Sequence, residues 1–249
     1  MKGEVIGKEI IWHQELSSTN DYASTYARDP KSHGLVIAAN FQTEGKGQRG
    51  NSWESSSGLN LLFSIILRPN FLEVQRQFLL SKSAALAVCD AITPLVSGVS
   101  IKWPNDIYIN NCKVAGILIE NSFSTAFLES SIIGIGVNVN QCSFTDDIPN
   151  PTSLKIEAGK EHDIKVLLAN ICKAFDDRYH MLETSKVDSI SSDYQKMLYR
   201  KNEFHSYQAQ GEVFRARIFG VRNSGELILE KDNGEHKEFA FKEVSYIIE

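Results

Sequence analysis

Gly45-Lys46-Gly47-Gln48-Arg49-Gly50-Asn51-Ser52-Trp53-Glu54-Ser55-Ser56-Ser57-Gly58 is the stretch that decides the fold. Its first six residues satisfy the GxGxxG pattern of dinucleotide-binding folds, and the apolar run Leu35-Val36-Ile37-Ala38-Ala39 upstream reads as the strand that should precede it. In that fold the glycines must open a helix, because the pyrophosphate rests on the helix N-terminus. Here the polar residues through Gly58 lead into a second strand-like run, Leu59 to Leu67, so the doubly wound dinucleotide fold is refused. A P-loop GxxxxGK[ST] is also missing, and so are the HRD and DFG that a kinase glycine loop requires. What survives is physical. The glycines give a backbone that can approach a ligand closely, and Lys46 and Arg49 bring positive charge suited to a phosphate. A solvated surface loop with incidental charge is the other reading.

Working outward, Ile10-Ile11-Trp12-His13 reads as a strand, and Ser17-Ser18-Thr19-Asn20 supplies N-cap residue types for a helix over Asp21 to Ala27 that Pro30 should end. A helix from about Leu72 to Ile92, with Asn70 and Glu73 as its capping pair, repeats apolar residues at Phe78, Leu79, Ala85, Leu86 and Cys89 and should lie across the sheet. Strand-like runs follow at Val99 to Ile101, Ile107 to Ile109, Val114 to Ile119 and Ile132 to Val137. Asn110-Asn111 is a hairpin pair that makes these strands antiparallel neighbours. Helical periodicity returns over Asp163 to Leu182 and Asp188 to Tyr199. Beyond Lys201 the runs Val213 to Phe219, Leu227 to Glu230 and Lys237 to Phe241 are separated by Asn223-Ser224-Gly225 and Asp232-Asn233-Gly234. The pattern is an α+β (or α/β) main domain over 1–203 with a small β module over 204–249.

With 249 residues, 42% of them hydrophobic and 23% charged, the chain has room for one full domain and a small one. Counting 26 Lys+Arg against 31 Asp+Glu gives a net charge of −5, which excludes a general polyanion binder and makes any anion site local. The four cysteines are singly spaced and the six histidines lack metal-ligand spacing; GxSxG, HExxH and internal repeats are not found. Neither a signal-type start nor an apolar run near the ~18 residues of a membrane span occurs, so a cytoplasmic protein is expected.

Further segments carry chemistry. Lys102-Trp103-Pro104-Asn105-Asp106, with Lys113 across the hairpin, is either a tight turn held by an Asx hydrogen bond or a carboxylate and ammonium placed for a magnesium nucleotide. Ser17 to Asn20 either caps a helix or offers hydroxyls and free N–H groups to a ligand. Gly134-Ile135-Gly136-Val137-Asn138 either marks a bulge or lets something approach the strand.

Taken in order, these segments resemble the biotin protein ligase family. Its pattern of Ser-Thr-Asn, Gln with a basic glycine loop ending in Trp, Lys-Trp-Pro-Asn-Asp, Lys-x-x-Gly-Ile-Leu-x-Glu and Gly-x-Gly-x-Asn appears at Ser18 to Asn20, Gln42 with Gly45 to Trp53, Lys102 to Asp106, Lys113 to Glu120 and Gly134 to Asn138. The resemblance implies a mixed sheet backed by helices, like the core of class II aminoacyl-tRNA synthetases, with an SH3-like C-terminal barrel. It implies activation of biotin by ATP with Mg²⁺ to biotinyl-5′-AMP, then transfer to a lysine of a biotin carboxyl carrier protein, by a monomer or homodimer. Carried over residue by residue, Ser18, Thr19, Asn20, Gln42, Lys46, Gly47, Gln48, Lys113, Gly116, Gly134 and Gly136 would hold biotin. Arg49, Gly50, Trp53, Lys102, Asn105, Asp106 and Asn138 would meet ATP, Asp106 being a possible magnesium ligand, and Lys113, Arg49 and Lys46 would stabilise charge in the reaction.

The loop departs from the family's pattern. Many members are Arg-rich there, whereas Lys46, Gln48 and Asn51 stand in this chain, which implies weaker retention of the adenylate. Lipoate–protein ligase is the nearest rival, but its own glycine-rich, His-containing signature is not found. Some biotin ligases carry an N-terminal DNA-binding domain; Ser18 comes too early here to expect one, and no DNA partner is expected.

Overall fold

The computed structural model describes residues 5–145 and 149–247, apart from the side chain of Arg49. Strands β1 (Ile10–Leu16), β2 (Val36–Gln42), β3 (Leu61–Leu67), β4 (Val99–Lys102), β5 (Asp106–Ile109), β6 (Cys112–Ser124) and β7 (Phe127–Val137) form one seven-stranded sheet in the order β1-β2-β3-β7-β6-β5-β4. Only β1 and β2 pair in parallel; every other neighbouring pair is antiparallel. A parallel pair needs a crossover. Helix α1 (Thr19–Ser24) lies within it and packs Ala23 against a small cluster of Leu35, Ile37, Ile66 and Ile132 on one face of the sheet.

The opposite face is covered by α2 (Phe78–Ile92), α4 (Ile164–Glu183) and α5 (Val187–Lys196), the short α3 (Leu154–Ala158) lying between β7 and α4. Cover on both faces explains why β3 is an unbroken apolar run apart from Ser64, every residue of it buried. Asp163 caps α4 by accepting from the amides of Lys165 and Val166. The mixed sheet backed by helices is therefore the α+β architecture expected. Asn110 has φ +53°, as the β5–β6 hairpin requires.

Two helix boundaries differ from the sequence reading. Helix α1 ends at Ser24, where the Ser24 and Thr25 hydroxyls donate to the carbonyls of Asp21 and Tyr22, and Pro30 opens a separate 3₁₀ turn instead of ending the helix. Helix α2 starts at Phe78 and not near Leu72. The carbonyl of Leu72 accepts from Leu128 N and the amide of Val74 donates to Ala126 O, so Glu73 is held extended against the start of β7, and a 3₁₀ turn over Val74–Arg76 intervenes before the helix. Glu73 makes no capping bond.

The C-terminal part is an antiparallel five-stranded sheet of β8 (His205–Ala209), β9 (Glu212–Val221), β10 (Leu227–Lys231), β11 (His236–Phe239) and β12 (Ser245–Tyr246), in the order β11-β10-β9-β8-β12. Strands β8 and β12 escape a sequence reading because they are short and polar. The buried side of this sheet, including Tyr207, Ile218, Leu227 and Phe239, joins the same apolar core as α2, α4 and α5. Among the described residues, no helix is long and apolar enough to cross a membrane.

Candidate active site

A cleft of about 580 Å³ opens over the glycines of β6 and β7 and reaches the C-terminal sheet. Ser18, Thr19, Asn20 and Gln42 line one end, Gly116, Gly134 and Gly136 the floor, and Lys102, Asn105, Asp106 and Lys113 the other end.

The first end is polar and uncharged. Ser18 caps α1 by accepting from Asp21 N at 3.4 Å, and Thr19 N donates to Gln42 Oε1 at 2.6 Å. Ser64 Oγ, from the middle of β3, lies 2.8 Å from Thr19 Oγ1 and 2.6 Å from Asn20 Oδ1, while Asn20 Nδ2 donates to Glu120 Oε2 at 2.7 Å. Ser18, Thr19, Asn20 and Ser64 are all buried, and burying such groups is tolerable only when they are hydrogen-bonded. The network fixes them as a preformed set of donors and acceptors beside the cleft. Ser18 thus caps the helix, and the start of that helix lines the cavity.

The floor explains its glycines. A Cβ on Gly136 would stand 2.5 Å from Trp53 Cε2, one on Gly116 would stand 2.8 Å from Trp53 Cζ3, and one on Gly134 would collide with the Asn20 side chain. Flat groups lie directly on the strands, so the reading of Gly134 and Gly136 as close approach is right. The one register shift between β6 and β7 falls at Ser122/Phe123, away from them.

Trp53 is delivered by the glycine loop. Trp53 N donates to Gly45 O at 2.8 Å and Gly47 N donates to Asn51 O at 2.7 Å, closing a lasso around the 3₁₀ turn Gln48–Gly50. Lys46 Nζ sits 2.5 Å from Asp21 Oδ1, an ion pair that clasps the loop to α1 and raises the lysine's pKa through the carboxylate's hydrogen bond. Lys46, Gly47, Gln48 and Asn51 all line the cleft.

At the charged end, Lys113 Nζ pairs with Asp106 Oδ1 at 2.7 Å and lies 5.5 Å from the Trp53 ring centroid. The two side chains are 28% and 22% exposed, so the pair is partly withdrawn from water yet open to a ligand. Asn105 Nδ2 donates to Ile117 O at 2.9 Å, which steadies the turn carrying Asp106. Lys102 Nζ donates to the Tyr108 hydroxyl at 3.0 Å and lies 4.9 Å and 5.3 Å from the ring centroids of Tyr108 and Tyr246; burial lowers its pKa.

Two expected site residues, Asn138 and Gly50, are not among those that line this cleft. Asn138 is buried, with its Nδ2 donating to Thr152 O and its amide to Val114 O, so it fastens the end of β7 instead of facing the cavity. Gly50 turns the loop tip at φ +87° without lining the cavity, and the side chain of Arg49 lies outside the described residues. Conversely, Ser64 and the segment Phe241, Lys242, Val244, Ser245 and Tyr246 were missed. Ser64 had a signal, a lone hydroxyl inside an apolar run; the C-terminal segment had none, since nothing local marks which strand ends meet a distant cleft.

Among the described residues no group of three or more His, Cys, Asp or Glu side chains could hold a metal ion alone. Among the described residues, Asp106 is the one carboxylate on the cleft wall. That fits Mg²⁺, which takes one or two carboxylates and fills its remaining positions with water and substrate phosphates.

A neutral hydrogen-bonding recess joined across a glycine floor to paired cations defines an α+β enzyme that places a polar small molecule against an anion. Residues 12–138 match the model of the biotin/lipoate A/B protein ligase family. The chain is 33% identical over 239 residues to the bifunctional ligase/repressor BirA of Bacillus subtilis, covering 94% of this chain and 73% of that protein. It is 32% identical over 164 residues to the biotin–[acetyl-CoA-carboxylase] ligase of Mycobacterium tuberculosis, covering 62% of this chain and 59% of that protein. Its structure is similar to that of the Aquifex aeolicus biotin protein ligase in complex with biotin and ATP, with a TM-score of 0.80 at 27% identity over 96% of this chain and 98% of that one. The chain belongs to the biotin/lipoate A/B protein ligase family.

Proposed function

We infer that the protein is a biotin protein ligase that adenylates biotin with ATP and transfers the biotinyl group to a lysine of the biotin carboxyl carrier protein of a biotin-dependent carboxylase. The observation that carries this is the continuity of one cleft from the recess at Thr19, Asn20 and Gln42 to the cations at Lys113 and Lys102. The Aquifex relative was solved with biotin and ATP, which supports the same pair of substrates here.

In the first step a carboxylate oxygen of biotin attacks the α-phosphorus of ATP and pyrophosphate leaves. In the second the acceptor lysine's amine attacks the acyl carbon of the mixed anhydride, AMP leaves, and an amide forms with loss of a proton. The neutral recess suits the ureido ring, which needs hydrogen-bond partners and no charge. Lys113 stands where carboxylate and α-phosphate would meet, and its ammonium offsets the charge that builds at phosphorus. Asp106 alternates as its partner, keeping the ammonium placed until substrate arrives. Lys102, Asn105 and Trp53 form the nucleotide end. Mg²⁺, held by Asp106 and the nucleotide's own phosphates, would supply neutralisation of phosphate charge. The loop from Gly45 to Trp53 excludes water from the anhydride.

The same reading makes residues 1–203 the catalytic domain and 204–249 an SH3-like barrel, the whole resembling the class II aminoacyl-tRNA synthetase core. A cytoplasmic monomer or homodimer that needs no nucleic acid is part of it. The test is incubation with biotin, ATP, Mg²⁺ and an apo carrier domain, followed by an avidin blot. Labelling of the acceptor lysine is expected; a blank lane with a competent acceptor, or pyrophosphate exchange that responds to lipoate and not to biotin, overturns the assignment.

A further inference from the structure

The hairpin joining β9 to β10 is docked onto the main domain by a lysine that no part of the proposed reaction uses. Lys82, near the start of α2, is 0% exposed, although lysine is almost never fully buried without a partner. Its Nζ lies 2.9 Å from Asn223 Oδ1, 3.2 Å from the Val221 carbonyl and 3.4 Å from Ser191 Oγ, with the Tyr194 ring centroid at 5.8 Å. Every one of these acceptors is neutral, and two of the three belong to the hairpin. An ammonium has three donors, and here they are spread over α2, α5 and the C-terminal sheet, so the charge fixes the mutual placement of three elements.

What hangs from the hairpin is part of the cleft. Trp103 Nε1 donates to Gly225 O at 2.8 Å, on the same short turn as Asn223. A Cβ on Gly225 would approach Phe78 Cδ2 to 3.0 Å, so the turn sits tightly against α2. Trp103 also meets Phe241 edge to face at 6.2 Å, and it is the second residue of the Lys102 to Asp106 turn that lines the nucleotide end. The hairpin thus holds the tryptophan from which that turn is suspended, and the following chain, through Phe241 and Tyr246, closes the same end. The hydrogen bonds that hold the biotin recess at the other end run among α1, β2, β3 and β6 and involve no residue of the hairpin.

We propose that Lys82 is a positioning residue for the nucleotide end of the cleft: it locks the β9–β10 hairpin, the hairpin locks Trp103, and Trp103 sets the Lys102 to Asp106 turn. The inference rests on the cleft being the biotin and ATP site. A lock at one end of a two-substrate cleft affects one substrate and spares the other.

The test measures KM for ATP in biotin-dependent pyrophosphate exchange and, separately, biotin affinity by calorimetry, for Lys82→Met, Asn223→Ala and the control Lys231→Gln. Asn223 is exposed and, among the described residues, Lys231 pairs with Glu235 and the Phe214 ring within the C-terminal sheet, so neither change should threaten folding. Loss of a hydrogen bond to a charged group corresponds to about a tenfold change in an equilibrium constant, so Lys82→Met is expected to raise KM for ATP about tenfold and Asn223→Ala about fivefold. Biotin affinity should stay within about twofold, Lys231→Gln should match wild type, and the double variant should be no worse than Lys82→Met alone. An unchanged KM for ATP in Asn223→Ala, or an equal loss for biotin and ATP, overturns the inference, and Asn223→Ala decides the matter if Lys82→Met does not fold. Wild-type protein without biotin-dependent exchange would overturn the assignment of function itself, a result separable from the other two.

Discussion

In the proposed reaction, Lys113 is the residue on which the chemistry turns. It stands between the Asp106 carboxylate and the Trp53 ring, at the junction of the recess and the nucleotide end. Lys113→Ala should lower the rate of adenylate formation by about 100-fold or more, as removal of a preorganised charge stabiliser does, with little change in thermal midpoint because the pair is partly exposed. Pyrophosphate exchange and a melting curve read the two effects. Gly136→Ala should act differently: its methyl would displace the indole from the floor, so the adenylate should escape faster, seen as a higher dissociation rate in stopped-flow. Gln48→Arg should slow the same escape by returning a cation to the loop. Many of these residues were legible as motifs, because charges, glycines and a tryptophan at fixed offsets carry chemistry with them. The placement of Asn138 was not legible for a physical reason: a strand's motif does not say which face a side chain takes, and Asn138 turns inward to Thr152.

Among the elements, α2 shows what periodicity can and cannot deliver. Its apolar repeat was readable through Cys89, but its first turn was not, because backbone pairing of Leu72 and Val74 with the start of β7 overrides helical propensity. Its buried lysine also sets a pH dependence. Burial pushes the Lys82 ammonium down from 10.5 to about 8. Between those values the unfolded chain binds the proton and the folded chain does not, so the contribution of this group to stability rises as pH climbs from 8 towards 10.5. Denaturant unfolding at pH 7.5 and 9.5 should show wild type gaining stability relative to Lys82→Met. Tyr108, Tyr179 and Tyr207, and the thiols of Cys89 and Cys172, are raised by burial and act in the opposite direction, but both proteins carry them and they cancel in the comparison.

At the scale of the whole molecule, the apolar core runs without a break from α2 and α4 into the C-terminal sheet. The two parts should therefore unfold together, in one calorimetric transition, and truncation after residue 203 should lower the midpoint sharply by uncovering Lys82, Trp103 and Phe78. The existence of a separate C-terminal sheet was visible from turn residues and short strands; its joint to the rest was not, since it depends on Gly225 and Asn223 meeting side chains more than a hundred positions away. The three tryptophans fall at three distinct places: Trp12 on β1, bonded to Asn40; Trp103 buried at the joint; and Trp53 resting on Gly116 and Gly136. Only the third is carried by the glycine loop, so a lifting of that loop would change its surroundings and leave the other two in place. The protein therefore carries an intrinsic optical reporter: in a Trp12→Phe background, the emission maximum should move to the red as the loop opens and return as it closes, so the shutter over the cleft can be followed in real time without an added label.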